Sequence, residues 1–407
     1  VVEFAGGRLS AAYAVTLVDM LFTARSYGRM AQAFPFGGSA YTYATRSSGA
    51  GLGFTAGWSL LLDYLLLPMI NYLLIGIYME AAFPAVPAWV FMVVSILAVT
   101  VLNILGITAI AKANFVVVGL QALFIVLFVA LGMSSITGAG NLDLMAPFTG
   151  VDGAEGVSPI LAGSAILCLS YLGFDAVSTF AEETKDPKRN LPKAIMLTTV
   201  LAGVIFLGLA YISHLVLPVS TFNDVDAAAI EVIGAAGGNL LVAFFTAAYI
   251  AGSLGSALTS QASVSRIIHS MGRSGVFPAA LGRLHARFRT PVLPILLTSA
   301  VSLLAFVLDL LTISSLISFG ALVAFSVVNL AVIKHYFVDE KARGARGVVH
   351  NFVLPGIGFA LTAWLWTSLS GLSFTFGLAW AGVGVVYLAF LTHGFRKPAP
   401  QLELEQA

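Results

Sequence analysis

The chain has 407 residues, 59% of them hydrophobic and only 10% charged, with a net charge of +1 and a mean hydropathy of +0.96. A soluble domain carries roughly 25% charged residues, so a soluble globular protein is excluded. One cysteine, Cys168, rules out an intrachain disulfide, and six scattered histidines have no ligand spacing, so neither a metal site nor a cofactor is expected.

Repeated apolar runs of about 20 residues predict an all-α polytopic membrane protein. Eleven spans are expected, over 10–33, 52–80, 87–106, 110–134, 157–181, 193–216, 238–270, 291–308, 312–337, 350–369 and 374–393. The opening Val1-Val2-Glu3-Phe4 has neither a methionine nor a basic leader, so it does not read as a signal peptide. The segment 34–51, with Pro35, Gly37, Gly38 and Gly51, reads as a broken connector holding a short helix at Ala40-Tyr41-Thr42-Tyr43. Lys112 and Lys334, near span ends, snorkel to the interface. The loop ending Arg287-Phe288-Arg289-Thr290-Pro291 reads as an anchor for anionic lipid.

Placing the loop after the first span in the cytoplasm puts 19 of the 20 Lys and Arg residues on that side, leaving Arg8 on the other. The outer loops then carry acids: Glu80, Asp143, Asp152, Glu155, Asp224, Asp226, Glu231 and Asp309. This sets Val1 outside and the C-terminus inside. An odd number of spans follows, which a further span before Val1 would explain; the alternative is a genuine eleven-span protein. Residues 157–337 hold five spans, the first interrupted, and 1–136 hold four. They are read as a second inverted repeat and a first repeat lacking its first helix. Residues 350–393 form an added pair of spans and 394–407 a cytoplasmic tail.

The interruption is Ser170-Tyr171-Leu172-Gly173-Phe174-Asp175. A span broken at the midplane frees carbonyls that attract cations and amides that attract anions. An acid inside a span costs about 2.5–3.5 kcal/mol on insertion scales, so Asp175 is read as functional. The alternative is that Asp175 only caps the second half-helix. Asp63 is a second intramembrane acid, with Met69-Ile70-Asn71 on the same helical face; the alternative is a structural hydrogen bond within the bundle. Asp19 either pairs with Arg25 or faces a further span. Phe319-Gly320 either bends the ninth span beside the site or packs the core, and Gly252-Ser253-Leu254-Gly255-Ser256 reads as small-residue helix packing. No span carries a mid-membrane Lys or Arg. The acids are therefore protonated, or neutralised by a cation from outside; both fit an amine carrier and proton coupling. No nucleophile–base pair or phosphate cradle occurs, so an enzyme is not expected.

Ser170 to Asp175, then Glu182-Glu183, Asp186-Pro187-Lys188 and Pro192-Lys193-Ala194-Ile195, resemble the amino acid–polyamine–organocation permeases. Further resemblance lies in Ser26-Tyr27-Gly28, Gly38-Ser39-Ala40-Tyr41-Thr42-Tyr43-Ala44, Leu61-Leu62-Asp63-Tyr64-Leu65 and Phe319-Gly320-Ala321-Leu322-Val323-Ala324-Phe325. Within that superfamily the chain is most similar to the bacterial putrescine importers. The resemblance implies a LeuT-like 5+5 inverted-repeat transporter fold with twelve spans, eleven of them in this chain. It also implies a cell-membrane (inner or plasma membrane) location, and a site between two unwound helices, of which this chain's fifth span is one and the other has no counterpart. In related amino-acid carriers a lysine replaces a sodium ion; Gln121 stands at about that position.

The expected function is secondary active import of a small organic cation, putrescine or a related polyamine. The coupling ion is a proton, with sodium as the alternative. Ser170, Tyr171 and Gly173 would offer backbone acceptors, Phe174 an aromatic wall or cation–π face, and Asp175 a counter-charge. Asp63 would be the second acid or proton carrier, with Asn71 and Phe319 completing the lining. The alternatives are a general amino-acid permease of the same superfamily, or a transport-incompetent scaffold or sensor.

Overall fold

The computed structural model describes residues 1–35, 39–106, 110–137, 143–150, 156–181, 183–219 and 221–398, with backbone alone for 110–114. Gly37, Gly38, Asp152, Glu155, Glu182, the Lys112 side chain and tail residues 399–407 lie outside the described residues.

The described residues form helices and connecting turns. They are α1 (Leu9–Ala33), α2 (Ser39–Ser48), α3 (Ala50–Ala82), α4 (Ala88–Leu105), α5 (Ile110–Thr137), α6 (Ala146–Thr149) and α7 (Ser158–Tyr171). A 3-10 turn over Ala176–Phe180 follows α7, and then come α8 (Pro187–Val216), α9 (Ala228–Arg273) and α10 (Val292–Ser302). The last are α11 (Leu310–Val332), α12 (Ala345–Val348), α13 (Leu354–Thr367) and α14 (Gly371–Leu391). Among the described residues nine helical stretches are long and apolar enough to cross a membrane. The two other expected spans also form helices. One is α10 with its 3-10 extension, which is short at Val292–Phe306. The other is α1, whose apolar character is diluted by Asp19, Arg25 and Arg29.

Several boundaries differ from expectation for local reasons. The connector helix is longer than Ala40–Tyr43, and runs as α2. The seventh span gains a preceding segment: Gly238 takes φ +67°, ψ −168° and kinks α9 between residues 228–237 and the span proper. Only glycine adopts that backbone without strain. At the start of α11, Asp309 accepts the Thr312 N–H (2.7 Å) and the Thr312 hydroxyl (2.9 Å). The Thr312 backbone N–H, above all, holds the Asp309 carboxyl below the usual carboxylate range. This cap is therefore present at neutral pH and is lost as pH falls through that lowered value.

The centre of the bundle is built from α1, α3, α7 and α11, flanked by α8, α9 and α13. In hydrocarbon no hydrophobic force drives helix against helix, so close packing and interhelical hydrogen bonds must hold them. Ser164 Oγ donates to the Ala12 carbonyl (3.0 Å) while Thr16 Oγ1 donates to the Ser164 carbonyl (3.1 Å), a reciprocal clamp between α7 and α1. Trp58 and Trp380 exchange indole-to-carbonyl bonds of 2.9 Å between α3 and α14. Thr362 of α13 donates to Asp19 Oδ1 (3.1 Å), so the partner observed for Asp19 is a hydroxyl and not Arg25.

Asn329 of α11 is the polar centre of this packing. Its Oδ1 accepts from Ser26 Oγ (2.6 Å), and its Nδ2 donates to Thr23 Oγ1 (3.1 Å) and the Phe325 carbonyl (3.0 Å). Asn329→Ala leaves the Ser26 donor and Thr23 acceptor buried without it, at an expected cost of about 1–2 kcal/mol. A lowered unfolding midpoint in detergent checks this; an unchanged midpoint contradicts it.

Candidate functional site

The break expected in the fifth span lies at Leu172–Gly173. Leu172 takes φ −58°, ψ 137° and ends α7, and Gly173 takes φ +116°. Helical geometry resumes at Asp175 and continues only as a 3-10 turn. Gly173 exposes its backbone, whereas Phe174 and Asp175 on its C-terminal side are buried. The segment thus offers open main chain beside an enclosed acid.

Asp175 stands at the start of the turn that follows it. Its Oδ1 accepts the Gly173 N–H at 3.2 Å, and the Asp175 and Ala176 N–H groups also act on the carboxylate. The Ser178 hydroxyl donates to the Asp175 carbonyl at 2.6 Å within that turn.

Asp63 is brought to the same place by the contact of α3 with α11. A Cβ on Gly320 would lie 2.9 Å from the Ser59 carbonyl oxygen and 3.2 Å from both Asp63 Cβ and Asp63 N. The glycine therefore allows the two backbones to touch beside Asp63. Asp63 lies within electrostatic range of Asp175, and Tyr64 within range of both acids. Asp63 Oδ1 is buried and has no hydrogen-bond partner. Neither acid has a cationic partner among the described residues, where the ion pairs are Lys334–Asp339 and His335–Glu340, beyond the end of α11. Two buried carboxyls without a basic residue need protons or an external cation.

An aromatic cluster walls the acids on one side. The Phe174 ring meets Tyr27 edge-on at 5.6 Å and Phe325 at 5.3 Å. Tyr27 also meets Tyr43 at 6.0 Å and Phe325 at 6.0 Å. Tyr27 and Tyr43 both lie within electrostatic range of Asp175, with Ser39 beside the buried Tyr27 hydroxyl and Ser178 beside that of Tyr43. Sequence reasoning gave these two tyrosines no role, although a tyrosine inside an apolar run is itself a signal, since its hydroxyl needs a partner.

The remaining predicted residues are placed as follows. Ser170 Oγ lies 3.4 Å from the Tyr13 hydroxyl, and the Tyr171 hydroxyl donates to the Tyr13 carbonyl at 3.3 Å. Both side chains therefore engage α1. Phe319 stacks on Trp366 of α13 at 5.1 Å and meets Phe374 of α14 at 6.3 Å. Asn71 Nδ2 donates to the Leu67 carbonyl (2.7 Å), and the residue borders a separate cavity with Gln121, Tyr249 and Ser253. The structure thus gathers Asp63, Phe174 and Asp175 with Tyr27, Tyr43 and Tyr64; Phe319 belongs to the same buried cluster as Phe174, and Asn71 borders the separate cavity. Among the described residues no group of three or more His, Cys, Asp or Glu is arranged to hold a metal.

Comparison with known proteins gives a consistent result. The amino acid permease family matches residues 1–389. The chain is 41% identical over 406 residues to the low-affinity putrescine importer PlaP of Escherichia coli (strain K12), covering 98% of this chain and 89% of that protein. It is 27% identical over 408 residues to the branched-chain amino acid permease BcaP of Bacillus subtilis (strain 168), covering 94% and 85% respectively. It is 28% identical over 354 residues to the vacuolar cationic amino acid transporter 4 of Arabidopsis thaliana, covering 81% and 58%. These relatives are named as transporters and permeases, not as enzymes.

Proposed function

Since the chain belongs to the amino acid permease family and is a multi-pass helical membrane protein, we propose that it imports a small organic cation, putrescine or a related polyamine, coupled to protons. The observation that carries this reading is the pair of buried acids, Asp63 and Asp175, at a broken helix with no basic partner among the described residues. One ammonium group of the substrate replaces the missing cation at Asp175. Asp63, with Oδ1 unpartnered, carries the coupling proton. The name of the 41% identical relative supports putrescine as the substrate.

A general amino-acid permease is the nearest rival. An amino acid brings a carboxylate as well as an ammonium, and a carboxylate is best received by free amides at the break. The Gly173 N–H already donates to Asp175, which favours an amine without a carboxylate. In this reading residues 1–136 and 157–337 are inverted repeats, 350–393 is an added pair, and the end rich in Lys and Arg faces the cytoplasm.

The test is initial-rate uptake of labelled putrescine by the protein in vesicles under an inward proton gradient. Unlabelled putrescine is expected to compete and leucine at equal concentration to leave uptake unchanged. Competition by leucine, or uptake indifferent to the gradient, contradicts the substrate class or the coupling respectively.

A further inference from the structure

A second charged site lies away from the acids, between α1 and the start of α8. The helices touch where a Cβ on Gly28 would meet Pro192 Cβ at 3.1 Å. Around this contact is a cavity of about 580 Å³, into which Arg25, Arg29 and Gln32 project from α1 and Lys193, Leu197 and Val200 from α8. Three of these six side chains are cationic.

The cations are not neutralised from within. Arg25 Nε is buried without a hydrogen-bond partner, and the charge that acts on Arg25 is that of Arg29. Arg29 is held in place: Nη2 donates to Asn351 Oδ1 at 2.8 Å, and the guanidinium lies 4.0 Å over the Tyr336 ring. Its Nε is also buried without a partner. Among the described residues no carboxylate forms an ion pair with Arg25, Arg29 or Lys193. Two guanidiniums at i and i+4 repel one another, so this arrangement favours an anion supplied from outside.

The apolar rim indicates the source of that anion. Leu197, Leu201 and Val204 lie on one face of α8, four and three residues apart, and are 58%, 53% and 60% exposed. Lys193 stands one turn before Leu197 on the same face. The row therefore passes from a cation to a lipid-facing apolar track along the span. A soluble anion makes no use of such a track, whereas an acyl chain does.

We infer that the α1–α8 cavity binds the phosphate headgroup of an anionic phospholipid, with an acyl chain along Leu197, Leu201 and Val204. Arg25 and Lys193 contact the phosphate directly, and Arg29, fixed by Asn351 and Tyr336, adds its positive charge. The site is independent of the substrate reading, because none of these residues belongs to the group around Asp175.

The test titrates the full protein in a neutral detergent with phosphatidylglycerol, phosphatidylcholine or glycerol 3-phosphate, read by native mass spectrometry. Phosphatidylglycerol is expected to bind in preference to the other two. Arg25→Gln with Lys193→Gln should weaken it about 30-fold, taking about 1 kcal/mol for each basic residue at a membrane surface. Lys193→Gln alone, at an exposed position, should weaken it about fivefold without disturbing the fold. Equal binding of phosphatidylglycerol and phosphatidylcholine overturns the inference. So does unchanged phosphatidylglycerol binding by Lys193→Gln, or glycerol 3-phosphate binding as tightly as the lipid.

Discussion

Asp175→Asn is expected to lower putrescine uptake at subsaturating concentration by at least about 30-fold, because removing one member of a buried charge pair costs about 2–5 kcal/mol. The substitution isolates the charge. Asparagine has nearly the same size, and its carbonyl oxygen can still accept the Gly173 N–H that Asp175 Oδ1 accepts at 3.2 Å. The Ser178 bond goes to the main-chain carbonyl and is unaffected. Asp63→Asn is the informative contrast. If Asp63 carries the proton, that variant retains putrescine binding but loses the dependence of uptake on the proton gradient. Initial rates at several external pH values, normalised to protein in the vesicle, check both. Equal rates for wild type and Asp175→Asn would contradict the role given to Asp175.

Gly173→Val is expected to abolish transport through the backbone alone. Gly173 takes φ +116°, a region closed to β-branched L-residues and costing about 1–3 kcal/mol to enter. No heavy atom lies within 4 Å of the position its Cβ would take, so an added Cβ meets no obstacle and the backbone strain stands by itself in Gly173→Ala. To escape the strain, the chain must move Leu172–Gly173 into another conformation, which displaces the amide that Asp175 accepts. Gly173→Ala should show the same defect to a smaller degree. Uptake together with the unfolding midpoint checks this: the prediction is a large loss of uptake with a modest fall in midpoint. Wild-type uptake by Gly173→Val would show that the turn geometry is dispensable.

The broad architecture was legible because lipid imposes simple demands. Each span must be apolar and satisfy its own backbone, so eleven apolar runs could be counted and all were found as helices. The break was legible for the same reason, since Ser170, Gly173 and Asp175 are out of place in such a run. What remained hidden depends on facing. Adjacent residues on a helix point about 100° apart, and sequence alone could not assign Gly320 to the α3 contact and Phe319 to the Trp366 stack. Asn71 was placed on the correct helix but bonds its own backbone at Leu67. The wall of Tyr27, Tyr43, Phe174 and Phe325 draws on four separate elements, and no local pattern announces it. Asp19 shows the same limit: its partner Thr362 lies 343 residues away. Nor could sequence show that the Asp175 carboxylate turns back to accept the Gly173 N–H.

The most direct measurement is equilibrium binding of labelled putrescine to the purified protein, comparing wild type with Asp175→Asn at neutral pH. The predicted result is saturable binding by wild type that putrescine but not leucine displaces, weakened at least about 30-fold in the variant. Equal putrescine affinity in the two proteins would contradict the claim that Asp175 is the counter-charge of a transported amine.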